Sequence, residues 1–103
     1  MTTTFKVSSS GSEANGTSLC GYVSTTYDKL VELLGQPLEG SSDEKTTAEW
    51  VLVFEDGTVA TIYDWKLSST PEYPYDWHVG GKGVGILKKV EEALNLKTRP
   101  WEF

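Results

Sequence analysis

One hundred and three residues and 11.4 kDa suffice for one small domain, which excludes a multidomain enzyme. Apolar residues make up 38% and charged residues 23%, and four Trp, five Tyr and three Phe supply the bulk of a packed core, which argues against wholesale disorder. Fifteen carboxylates against nine cations leave a net charge of −6, whose field repels phosphate backbones and anionic lipid, so neither a nucleic acid nor a membrane is an expected partner.

The N-terminal stretch Thr2–Ser18 holds nine Ser or Thr and only Phe5, Val7 and Ala14 as apolar residues, unlike a signal-peptide core. No window approaches the roughly 20 apolar residues of a membrane span, so a cytoplasmic protein is expected. Residues 1–18 read as a mobile segment, with a short edge strand at Thr4–Val7. Thr17–Ser24 has a strand composition around Gly21 and contains Cys20, which reads as a small core residue. Thr25 or Thr26 can then cap a helix over 27–34, where Tyr27, Leu30, Val31 and Leu34 follow helical spacing, Gly35 suits its C-terminal position and Pro37 prevents continuation.

Residues 36–45 read as an acidic loop. From Thr46 to Phe54, Ala48, Trp50, Leu52 and Phe54 alternate with Thr47, Glu49, Val51 and Val53, the period of a strand. Asp56-Gly57 predicts a hairpin turn into a second strand over Thr58–Trp65. A loop over 67–74 precedes a short strand at Tyr75–Val79, and the glycine-rich run 80–85 reads as a flexible lead-in to a second helix with Ile86, Leu87, Val90, Ala93 and Leu94 on one stripe. Asn95 can end that helix, and residues 96–103 read as an extended tail carrying Trp101 and Phe103. The order predicts one α+β domain over 17–95, in two layers: an antiparallel sheet of three to five strands with two helices on one face.

The tripeptide Tyr-Asp-Trp occurs at 63–65 and again at 75–77. If the two strands pair there, Tyr63, Trp65, Tyr75 and Trp77 gather on one face and Asp64 and Asp76 approach on the other. Exposed rings would stack on a planar ligand or a partner's side chains; close carboxylates could share acid and base roles; the competing reading is a hydrophobic core with solvated aspartates. The run Gly80, Gly81, Lys82 could present amides and a cation to an anion beside His78, although Gly83 stands where a Walker loop needs Ser or Thr and Ile86 where a dinucleotide fingerprint needs Gly. A simple connection is the alternative.

His78 is the only imidazole and Cys20 the only thiol, so an intrachain disulfide and a structural zinc site are excluded and no cofactor is expected. No nucleophile elbow accompanies them, and an enzyme is not expected. Charge is uneven: residues 39–56 sum to −5, while 82–103 sum to +2. Glu44, Glu49 and Asp56 within the acidic stretch could face a basic protein groove.

The hairpin from Ala48 to Lys66 and the segment Asp76-Trp77-His78-Val79-Gly80-Gly81 resemble a group of small proteins encoded by tailed bacteriophages, over about residues 17–95. The resemblance implies an accessory protein that binds and disables a host or antiviral-defence protein in the cytoplasm of the infected bacterium. Leu34-Gly35-Gln36-Pro37 ahead of a Trp-containing hairpin is also similar to the fold of the beta-lactamase inhibitor protein and outer-membrane assembly lipoproteins, whose disulfides, signal sequence and lipobox this chain lacks. The expected function is therefore a non-enzymatic inhibitor acting through aromatic and acidic surfaces. The alternative is a protein that sequesters a nucleotide signal in the aromatic and glycine-rich pocket. Self-association is left open.

Overall fold

The computed structural model describes residues 5–8, 17–39, 48–64, 74–83 and 85–100. In chain order these form β1 (Phe5–Val7), β2 (Ser18–Thr25), α1 (Tyr27–Leu34), β3 (Leu38–Glu39), β4 (Ala48–Phe54), β5 (Val59–Tyr63), β6 (Tyr75–Lys82), α2 (Ile86–Leu94) and β7 (Thr98–Pro100). The sheet runs β1-β4-β5-β6-β2-β7, with β3 also beside β4, and its pairings are antiparallel. The described residues form an α+β fold with two helices, as expected.

Local chemistry sets the element ends. The Thr26 side chain accepts from the Lys29 amide at 3.2 Å, and Gly35, at φ 87°, donates its amide to Val31 at 2.8 Å, which closes α1. Helix α2 stops at Asn95, whose left-handed φ of 56° suits an Asn. In the β4–β5 turn Gly57 takes φ 87°, and Asp56 Oδ1 accepts from the Thr58 amide at 3.0 Å.

One sheet face meets the helices. Trp50, Trp77, Leu30, Leu52, Ile62, Val23, Val79 and Val90 are fully buried there. The rings of Trp50 and Trp77 meet edge to face at 5.6 Å, and Tyr27 of α1 lies 5.8 Å from Trp50. Each indole is also satisfied: Trp50 Nε1 donates to the Gly35 carbonyl at 2.9 Å and Trp77 Nε1 to that of Thr25 at 3.1 Å. The helix-ending turn and the tryptophan of the following hairpin are therefore physically joined.

Three expectations need correction. The described residues form more than three to five strands, because β7 at one edge and the short β3 beside β4, neither of them expected, join the expected edge strand and inner strands. Within the tail expected for 96–103, residues 98–100 form a sheet strand: they pair with β2 at Gly21–Val23, where a Cβ on Gly21 would sit only 2.2 Å from the Arg99 carbonyl oxygen. Gly80, Gly81 and Lys82 are not a flexible lead-in but the end of β6, flanked by β5 and β2. Their bareness serves packing, since a Cβ on Gly81 would lie 2.6 Å from Ile86 Cγ2 of α2, and one on Gly80 2.6 Å from Thr61 Oγ1.

Candidate functional site

Alternation along β6 sends Tyr75, Trp77 and Val79 toward the helices and Asp76, His78 and Gly80 to the opposite face. The register then decides which rings meet. Tyr63 pairs with His78, and Ile62 with Val79, so Tyr63 lies on the face opposite Trp77. The two Tyr-Asp-Trp copies therefore do not gather four rings on one side. Trp77 is core, Tyr63 is half-buried, and Trp65 and Glu44 lie outside the described residues.

On the face away from the helices, one transverse row crosses five strands: Arg99 of β7, Tyr22 of β2, His78 of β6, Tyr63 of β5 and Glu49 of β4, each the cross-strand neighbour of the next. At about 4.8 Å between strands the row spans roughly 19 Å. The Arg99 guanidinium carbon lies 4.7 Å from the Tyr22 ring centre. Tyr22 meets His78 edge-on at 5.2 Å, and His78 stacks on Tyr63 at 5.4 Å with the planes 26° apart. In the adjoining row Ser24 pairs with Asp76; its hydroxyl donates to one carboxylate oxygen while Arg99 donates to the other. Tyr22, Tyr75, Asp76, His78, Arg99 and Pro100 line an open groove of about 590 Å³.

The electrostatics follow from this packing. Burial pushes the His78 imidazole below its usual pKa, against the opposing pull of the Asp64 and Asp76 carboxylates. The Ser24 hydrogen bond, and then Arg99, hold Asp76 below the ordinary carboxylate value. Burial raises Glu49 and Tyr63, with Glu49 adding to the effect on Tyr63. At neutral pH the groove thus combines an ionised Asp76, a neutral His78 and a guanidinium.

A serine, a carboxylate and an imidazole meet here, but not as a nucleophile relay. The Ser24 hydroxyl gives its proton-bearing bond to Asp76, whereas a relay needs the imidazole between the two. Asp64 is fully buried and accepts from the Ala48 amide at 3.2 Å, so it pins the start of β4. It is not the solvated face charge of the competing reading. Asp56 is exposed in the β4–β5 turn and pairs with Lys89 of α2, whereas Glu49 sits at the far end of β4. The two acids do not form one patch. Cys20 is half-buried against the core, and burial raises its pKa, as suits a packing thiol. Among the described residues no group of three or more His, Cys, Asp or Glu is placed to hold a metal ion, and no helix is long and apolar enough to cross a membrane.

Of the residues expected at a site, Glu49, Tyr63, Tyr75 and His78 join this face or its groove, and Trp77, Gly80 and Gly81 are structural. Lys82 is exposed at the end of β6. Tyr22, Ser24 and Arg99 were not expected. Period-2 reading of β2 would have put Tyr22 and Ser24 on one face; no local signal marks Arg99, because Lys97-Thr98-Arg99-Pro100 has no alternation of apolar residues. Comparison with known proteins finds no family model that matches the chain, and no match among curated proteins or solved structures.

Proposed function

We propose that the protein is a non-enzymatic binding protein whose recognition surface is the row Arg99–Tyr22–His78–Tyr63 and the groove beside it. The observation that carries this reading is the alignment of three half-buried ring systems with an exposed guanidinium on the sheet face away from the helices. Tyr and Arg dominate binding energy at protein interfaces because they bury large area with little rotamer loss and still offer hydrogen bonds. The resemblance to phage accessory proteins supplies the setting: a host or antiviral-defence protein as the target, held and inhibited in the bacterial cytoplasm. The aromatic row, rather than a continuous acidic surface, is the contact.

The test is capture from bacterial host lysate on immobilised full-length chain, with Tyr22→Ala as the control. A protein retained by the wild type and lost with Tyr22→Ala supports the reading; no specific protein, or one retained equally by both, overturns it. A second reading, sequestration of a nucleotide, is favoured by the groove itself, where a base could stack beside Tyr22 and Tyr75. It now lacks the cradle of amides expected at Gly80 and Gly81, since both lie within a central strand. A rise in melting temperature with cyclic nucleotides or ADP-ribose derivatives would favour it.

A further inference from the structure

Within the groove one contact shows what the surface accepts. Tyr22 offers a ring face and Asp76 a carboxylate to the same guanidinium, that of Arg99. A planar, delocalised cation suits both at once: it stacks on an aromatic face while its in-plane donors reach a carboxylate, which a lysine ammonium cannot do. Asp76 is prepared for this role by Ser24, whose hydroxyl engages one oxygen and leaves the other for the cation.

We propose that Tyr22 and Asp76 form a receptor for an arginine side chain, occupied in the free protein by the chain's own Arg99 and taken over by an arginine of the bound partner. The inference rests on the binding-protein reading and names the chemistry of that partner's contact.

The occupant is easily exchanged. Arg99 stands on a three-residue strand at the sheet edge, and the side chains of Arg99 and Asp76 are 58% and 48% exposed. An ion pair so exposed to water contributes little, so a competing guanidinium meets a small barrier to replacing it. Tyr75, His78 and Pro100 supply walls for the aliphatic stem of the incoming side chain. The charge of −6 draws a basic surface toward the chain, and Asp76 gives that attraction a fixed end point.

The probe is N-acetyl-arginine methylamide, with the uncharged citrulline analogue of the same shape as its control, titrated into isotope-labelled full-length protein and followed by NMR. In Arg99→Gln the arginine probe is expected to shift signals around Tyr22, Asp76 and His78, and to bind about tenfold more tightly than the citrulline probe and about fivefold more tightly than it binds the wild type, where Arg99 competes. Adding Asp76→Asn should remove the preference. Arg99→Met, which keeps an unbranched stem without a charge, provides a second vacated receptor should Arg99→Gln lose its native spectrum, and the same preference is expected of it. Equal response to the two probes, insensitivity to Asp76→Asn, or equal affinity of wild type and vacated variants overturns the receptor. Failure of arginine selectivity alongside Tyr22-dependent capture of a protein overturns the receptor alone, whereas selective arginine binding with no captured protein supports it and overturns only the broader reading.

Discussion

His78 carries the only imidazole of the chain and stands between Tyr22 and Tyr63, where burial favours its neutral form and the Asp64 and Asp76 carboxylates favour its charged one. Burial is the larger influence, so titration of its ring protons by NMR should give a pKa below 6.5. A folded pKa below the unfolded one means that the unfolded chain binds more protons between the two values. Stability from this residue is therefore complete above about pH 6.5 and falls as pH drops through the window toward the folded value. Urea midpoints across that range should show a slope that flattens in His78→Gln; an unchanged slope would place the pH dependence elsewhere. Side-chain identity made His78 visible in the sequence as the only imidazole. Its surroundings were not legible, because the rings and carboxylates around it come from positions 22, 63, 64 and 76, which only strand pairing brings together.

At the scale of elements, β7 shows how a missing side chain admits a strand. Gly21 of β2 faces the Arg99 carbonyl so closely that a Cβ there would lie 2.2 Å from the oxygen and 2.9 Å from Leu87 Cδ1 of α2. Gly21→Ala should push β7 away, lower stability by about 1–3 kcal/mol and loosen the Tyr22–Arg99 contact. The check is hydrogen exchange over residues 96–100, which should accelerate well beyond the rest of the sheet; uniform protection would mean that the edge strand tolerates the methyl group. The strongly periodic elements were legible: α1 over 27–34, the stripe of α2, and the hairpin around Asp56-Gly57, whose second strand is shorter than the expected 58–65 and runs Val59–Tyr63. The extension of β6 through Gly80 and Gly81 was not, because glycine weakens strand propensity locally while the close approach of Ile86 and Thr61 requires it there.

For the molecule as a whole, the sheet is held by one cluster that includes residues of both helices, in which the two buried tryptophans meet each other and Tyr27 of α1. Removing Trp77 leaves a cavity where its indole met Trp50 and Tyr27, and frees the Thr25 carbonyl. Trp77→Ala should cost about 3–5 kcal/mol, a large share of the roughly 5–15 kcal/mol available to a small domain, and lower the melting temperature by more than about 10 °C in a circular-dichroism melt. Trp77→Phe, which keeps an apolar ring, should lose much less; equal losses would show that the hydrogen bond rather than the packed volume governs the site. The sequence alone determined the α+β class, the two amphipathic helices, the hairpin and the concentration of aromatic residues, since spacing and turn chemistry act between residues close in the chain. Which face each ring occupies was decided by the tertiary structure. In a strand of period two, a shift of one position in pairing exchanges the faces, so only the pairing of Tyr63 with His78 rather than with Trp77 could divide the repeated Tyr-Asp-Trp between core and groove.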